Sequence, residues 1–138
     1  MNKIKYITGF THLASQLVFL PRVSSKCVRS YKYMNKLKIK IILASVRQGR
    51  FGDKPAKWIY DIAERMEELS SEILDLLNHQ LPMFAEVVSP AYTQGEYRLK
   101  EANVWAKKIA EADGFIIVTP EYNHGYPASL KNNIDYLY

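Results

Sequence analysis

The sequence predicts an α/β fold, a parallel sheet with helices on both faces, and three observations carry that prediction. From Leu37 onward, short apolar runs and stretches with helical spacing alternate as strand, helix, strand, helix, strand, helix. The run Gly114-Phe-Ile-Ile-Val118 is continuous and β-branched, as expected of a parallel strand covered on both sides. A chain of 138 residues suits one domain, and 48% apolar with 24% charged residues is ordinary for a globular protein.

Leu37 to Ser45 is the first expected strand, carrying Ile39, Ile41, Ile42 and Leu43. After a loop, Pro55 opens the first helix, with Asp53 as its cap and Ile59, Ala63, Met66 and Leu69 at helical spacing. Ser71 to Leu76 reads as the second strand. Leu77 to Gly95 is a long loop with Pro82 and Pro90, and loops of that length in compact domains are usually functional. Glu96 to Ala112 forms the second helix, burying Leu99, Ala102, Ala106 and Ile109. Gly114 to Val118 is the third strand, and Pro127 opens a third helix that buries Leu130, Ile134 and Leu137.

Two loops carry the chemistry. The first, Ser45-Val-Arg-Gln-Gly-Arg-Phe-Gly-Asp53, joins a strand end to a helix N-terminus. Backbone N–H groups and the helix dipole favour a phosphate there, the Ser45 hydroxyl can donate to it, and an arginine can grip two of its oxygens. The plain alternative is a surface turn with two solvated arginines. The second loop follows the third strand and offers the aromatic face of Tyr122, the amide of Asn123 and the close-approach backbone of Gly125, a set suited to a planar ligand. Neither loop matches G-x-x-x-x-G-K-[ST] or G-x-G-x-x-G, so a nucleoside triphosphate fits poorly. There is no G-x-S-x-G elbow, no H-E-x-x-H and no Cys/His pair near the loops to supply a nucleophile.

Pro120-Glu-Tyr-Asn-His-Gly125, followed by Leu130-Lys-Asn-Asn-Ile-Asp135, resembles the second flavin loop of the NADPH-dependent FMN reductases. That flavodoxin-like family includes quinone, azo and chromate reductases. Ala44-Ser-Val-Arg-Gln-Gly-Arg50 stands where the family places its FMN phosphate loop, and the resemblance runs from about Ile39 to Tyr138. It implies a flavodoxin-like three-layer α/β/α fold, FMN as cofactor, NADPH or NADH as hydride donor, and a quinone, azo compound or free flavin as small-molecule electron acceptor. Ser45, Arg47 and Arg50 become phosphate contacts. Pro120, Glu121, Tyr122, Asn123, His124 and Gly125 become the isoalloxazine loop, with Tyr122 flanking the ring and backbone N–H groups at its polar edge. His124 is either a donor to flavin or substrate, or a solvated bystander. No side chain is needed as a catalytic base. Leu81-Pro-Met-Phe84 resembles the apolar stretch before the family's substrate pocket, although simple cover for the sheet by Met83 and Phe84 is the preferred reading. Members are commonly cytosolic homodimers.

Charge and cysteine content narrow the alternatives. Residues 1–36 hold seven Lys/Arg and no acid, whereas the remainder holds twelve basic and fourteen acidic residues, so the net charge of +5 comes from the extension. A nucleic-acid binder is thereby disfavoured, since such proteins concentrate charge on the folded face. Leu13 to Leu20, the most apolar stretch, is far shorter than the roughly 20 residues a bilayer requires. The lone Cys27 excludes an internal disulfide and a cysteine-built metal site. Residues 1–36 therefore read as a separate basic extension with three explanations: a mitochondrial-type presequence, a disordered tail, or sequence ahead of a true start at Met34, the last preferred.

Residues 37–138 read as an incomplete domain, because a flavodoxin-like sheet has five parallel strands in the order 2-1-3-4-5 and only three are legible. The expectation is an open outer edge at Phe115 to Val118, association through it, and little bound FMN. A non-catalytic truncated paralogue, acting if at all as an interaction protein, is the competing reading.

Overall fold

The computed structural model describes residues 16–19, 36–93 and 96–137. Its strands are β1 (Gln16–Phe19), β2 (Leu37–Leu43), β3 (Leu69–Asp75) and β4 (Gly114–Thr119). The helices are α1 (Asp53–Ala63), the single turn α2 (Pro90–Thr93), α3 (Lys100–Ala110) and α4 (Ala128–Asp135). The sheet order is β1-β4-β2-β3. β2 runs parallel to both neighbours, with Ile41 opposite Ile73 on one side and Ile116 on the other. The expected parallel α/β architecture, with the first strand between the second and third, is what forms.

Alternation along β2 divides the core into two layers. Ile41 and Leu43 point to α1, where they pack with Ala56, Ile59 and Val118. Ile42 and Ala44 point the other way, into a larger cluster with Leu74, Trp105, Leu130 and Tyr136 beneath α3 and α4. Burying side chains the size of Trp105, Leu74 and Ile41 stabilises the fold by about 1.5–3 kcal/mol each. Both faces of β2 are thus covered, which is why its apolar residues run without a polar alternate from Ile41 to Ala44.

Several element boundaries differ from the sequence expectation for local reasons. α1 begins at Asp53 rather than Pro55, with Gly52 at the cap position, and it ends at Ala63. Met66 and Leu69 are outside it: Met66 N–H turns back onto the Ala63 carbonyl, and Leu69 starts β3 opposite Leu37. α3 begins at Lys100 rather than Glu96 because Asn103 clasps the backbone of Tyr97, accepting its N–H at 2.7 Å and donating to its carbonyl at 2.8 Å. Its core face includes Trp105, which the helical count had passed over.

α4 buries Leu130 but exposes Ile134, and it turns Asn132 and Asn133 inward instead. Their amides satisfy the long loop after β3. Asn132 accepts the Phe84 N–H at 2.8 Å and donates to the carbonyls of Leu81 and Pro82, while Asn133 donates to the His79 carbonyl at 2.9 Å. Backbone groups withdrawn from water at the loop's part-buried side need such partners, and two asparagines supply them. Within that loop Phe84 meets Tyr136 edge-on at 5.0 Å and helps cover the core, but Met83 stays 76% exposed and covers nothing.

Lys108 of α3 reaches Glu72 on β3 at 2.6 Å, and Glu72 also pairs with the buried Lys40 of β2. Hydrogen bonds from Lys108 first, then Lys40, hold the Glu72 carboxyl below its usual range. The expectation of an open outer edge on β4 is corrected: Gln16–Phe19 pairs with it antiparallel, Leu17 opposite Val118. An edge strand presents a row of unpaired backbone groups, and a short apolar segment of the extension takes them up. Among the described residues no helix is long and apolar enough to cross a membrane.

Candidate functional site

β2 and β4 are parallel neighbours, yet the chain leaves β2 toward β3 on one side and reaches β4 on the other. Their loops therefore diverge at a topological switch point, the place where open α/β sheets bind ligands outside the carboxyl ends of the strands. A cleft of about 190 Å³ lies there, lined by Ser45, Arg47, Arg50, Phe51, Gly52, Val118, Thr119, Pro120, Glu121 and Tyr122. Complete small-molecule pockets span roughly 300–1,000 Å³. The described residues thus form one end and one wall of a site.

The first loop is anchored at its base. Ala44 N–H bonds the Val118 carbonyl at 2.9 Å, and the Ser129 hydroxyl at the start of α4 donates to the Ala44 carbonyl at 2.8 Å. The next residue, Ser45, is buried. Its Oγ stands 3.2 Å from the Tyr122 hydroxyl and accepts the Arg47 N–H at 3.5 Å. One hydroxyl pair therefore joins the two loops across the mouth of the cleft. Gly49 then turns the chain at φ 65°, a conformation that an L side chain resists. Gly52 lets the helix start close to the sheet, since a Cβ there would lie 2.8 Å from Leu43 Cδ1.

The two arginines of this loop are placed differently. Arg47 is exposed and its guanidinium makes no hydrogen bond among the described residues. Arg50 is drawn inward, its side chain 10% exposed, between Asp53 at the start of α1 and Asp75 at the end of β3. It also donates from Nη1 to the Ser45 carbonyl at 2.6 Å. Its hydrogen bonds to Asp75 first, then to Asp53, raise its pKa and keep it charged. Burial pushes the Asp75 carboxyl up, but hydrogen bonds from Arg50 and from the Leu77 N–H prevail and leave it below the usual carboxylate range.

The second loop is a tight two-residue hairpin. Tyr122 and Gly125 exchange N–H···O bonds at 2.8 and 3.1 Å, and the residues between them have positive φ, 50° at Asn123 and 65° at His124. Two consecutive left-handed residues are what a type I′ turn needs, and Asn and His tolerate that region better than most. The turn leaves Pro120, Glu121 and Tyr122 against the cleft and carries Asn123, His124 and Gly125 away from it. The His124 side chain is fully exposed, with Nδ1 3.6 Å from Glu121.

Of the expected site residues, Ser45, Arg47, Arg50, Pro120, Glu121 and Tyr122 come together. Sequence reasoning missed Phe51, Gly52, Val118 and Thr119 as lining residues, and Asp75 as the partner of Arg50. The glycine pair Gly49 and Gly52 was the available signal for the first group; nothing local marks Asp75, which lies 25 residues from Arg50.

The donor set suits a phosphorylated planar ligand. A hydroxyl, an exposed guanidinium and an uncapped helix start line one end of the cleft, while a tyrosine ring and a strand-end backbone form the wall beside it. Among the described residues no group of His, Cys, Asp and Glu could hold a metal ion.

Comparison with known proteins agrees with this site. Residues 37–138 match the family model described as NADPH-dependent FMN reductase. The chain is 41% identical over 101 residues to an NAD(P)H-dependent FMN reductase of Schizosaccharomyces pombe, covering 73% of this chain and 50% of that protein. It is 34% identical over 111 residues to one of Saccharomyces cerevisiae, covering 74% and 58%. It is 35% identical over 106 residues to a quinone reductase of Escherichia coli, covering 74% and 50%. The chain thus spans about half the length of the curated relatives it matches. With a family model over most of its length and the expected cleft at the switch point, the chain belongs to the NADPH-dependent FMN reductase family, whose fold is flavodoxin-like.

Proposed function

We propose that residues 37–138 carry the phosphate end and one ring wall of an FMN site in an NAD(P)H-dependent oxidoreductase. The acceptor we assign is a quinone, with azo compounds and free flavin as further substrates of the same chemistry. The observation that carries the reading is the Ser45–Tyr122 contact of 3.2 Å, which ties a phosphate-type loop to an aromatic loop across one cleft. Relatives named quinone reductase, and one from Burkholderia named 2-hydroxy-1,4-benzoquinone reductase, support the choice of acceptor.

In this reading Arg47 and the hydroxyl of Ser45 bind the phosphate, and Tyr122 fixes the plane of the ring beside Pro120. Bound FMN supplies the hydride chemistry between nicotinamide and acceptor, so the chain provides binding and orientation rather than a general base. The N–H groups of Tyr122 and Gly125 close the hairpin, so the Glu121 N–H is the backbone donor after β4 that we assign to the polar edge of the ring, where it stabilises negative charge without a titrating side chain. A second copy of the chain would complete the pocket's open side, as expected of a homodimer acting in the cytosol on a small diffusible acceptor. Asn123, His124 and Gly125 serve this site through the turn they make.

Titrating FMN by fluorescence quenching, then following NADPH and NADH oxidation with a benzoquinone acceptor, tests the reading. Saturable FMN binding with quinone-dependent nicotinamide oxidation is expected. FMN binding without any turnover would favour the non-catalytic alternative, and no binding would overturn the site.

A further inference from the structure

We propose that Arg50 and Asp75 form a positioning clamp that shapes the first loop for phosphate, with Arg47 as the cation presented to the ligand. The inference rests on the FMN reading above. A guanidinium has five N–H donors, and all five of Arg50 are engaged. Nε donates to Asp53 at 3.0 Å, Nη1 to the Ser45 carbonyl at 2.6 Å and to Asp75 at 2.7 Å, and Nη2 to Asp53 at 2.8 Å and to the second Asp75 oxygen. No donor remains for a ligand. Asp75 in turn accepts the Leu77 N–H at 2.9 Å, so the clamp joins the exits of β2 and β3 to the first turn of α1.

The electrostatics follow from the same geometry. Asp53 and Asp75 set two carboxylates beside a cleft meant for an anion, and Arg50 neutralises them with forked, charge-assisted hydrogen bonds. Its bond to the Ser45 carbonyl fixes the residue whose hydroxyl meets Tyr122. Gly49, at φ 65°, reverses the chain between the two arginines, so that one is drawn inward and the other remains exposed. Both residues are therefore positioning residues, and their influence on phosphate passes through the loop.

Substitution of Asp75 separates this arrangement from the alternative by sign. FMN and riboflavin are titrated against the 138-residue chain by fluorescence quenching, and hydrogen exchange of amides 45–50 is followed without ligand. Asp75→Asn and Arg50→Lys should each weaken FMN roughly 10- to 100-fold, the range set by charge-assisted hydrogen bonds, while riboflavin affinity holds and the loop amides exchange faster. If Arg50 grips phosphate itself, Asp75→Asn frees its guanidinium and removes a repelling carboxylate. FMN binding as tight as wild type, or tighter, would then overturn the clamp. Equal loss of FMN and riboflavin would overturn it as well, since that reports general destabilisation. A wild-type chain that binds FMN no better than riboflavin defeats the flavin reading itself; the exchange rates then decide the clamp, and unaltered loop amides in Asp75→Asn overturn it.

Discussion

The two loops that wall the cleft reach fixed shapes by different means. The loop after β2 is held by paired charge, with Arg50 between Asp53 and Asp75, and it spends a glycine where φ reaches 65°. The loop after β4 is held by its own backbone, a hairpin closed by Tyr122 and Gly125, and it adopts the same 65° at His124 with a side chain in place. One loop is set by residues distant in sequence, the other by residues within four positions. Substitutions of the charged residues in the first should consequently act on ligand binding, whereas the shape of the second should not depend on charge.

The largest effect should come from Arg47, the free cation of the charge-built loop. Arg47→Ala is expected to lose about 1.5–3 kcal/mol of FMN affinity, the worth of a hydrogen bond to a charged group, with no change in thermal midpoint. Calorimetric titration measures it. An unchanged dissociation constant would remove Arg47 from the phosphate end and break the contrast at its strongest point.

How far each loop could be read in advance follows from the same difference. The sequence Tyr122-Asn-His-Gly125 is local, so a loop at this point was legible, although the direction in which the turn sends Asn123 and His124 was not. Backbone hydrogen bonds, not residue types, decide that direction. Ser45 and Arg47 were legible from a strand followed by a helix. Arg50 looked like their equal, because an inward pull from Asp75 depends on the parallel register of β2 and β3, in which Leu43 stands opposite Asp75. The three parallel strands were read to within two residues at either end, because apolar β-branched runs leave few alternatives, whereas Gln16–Phe19 was not read as a strand. Helix faces were less legible. Asn132 and Asn133 turn inward to satisfy a loop some 50 residues away, and no periodicity in α4 announces that partner.

A paired substitution sharpens the backbone half of the contrast. Gly49 and His124 share a left-handed φ, and a Cβ at Gly49 would meet nothing within 4 Å, so any cost there is conformational rather than steric. Gly49→Ala should destabilise by about 1–2 kcal/mol, the penalty for placing an L side chain in that region. His124→Gly should leave the midpoint unchanged or raise it, and it should leave FMN affinity unchanged because the side chain points to solvent. A loss of FMN affinity in His124→Gly would make that histidine a ligand contact and erase the distinction between the loops.

The smallest effect is the acid response, and it concerns only the charge-built loop. The folded Asp75 carboxyl titrates below its ordinary value of 3.8, with burial opposed and outweighed by Arg50 and the Leu77 N–H. For a depressed carboxyl the stabilisation is fully present above the unfolded pKa and is lost as pH falls through the folded one. Between pH 5 and 8 it is therefore constant, and it disappears only below about pH 4. Glu72 acts with the same sign in a neighbouring window, and His79, whose burial lowers its pKa, loses its contribution as pH falls from near 6.5. Glu72 is present in Asp75→Asn and cancels in the difference between the stability curves of wild type and variant; the charge of His79 couples to Asp75, so placing His79→Gln in both backgrounds removes it and isolates Asp75. That difference should be flat from pH 8 to 5 and shrink below pH 4, accompanied by faster exchange at amides 45–50 but not at 121–125. Equal acid sensitivity in both loops would show that global unfolding, not the Arg50–Asp75 pair, governs the cleft.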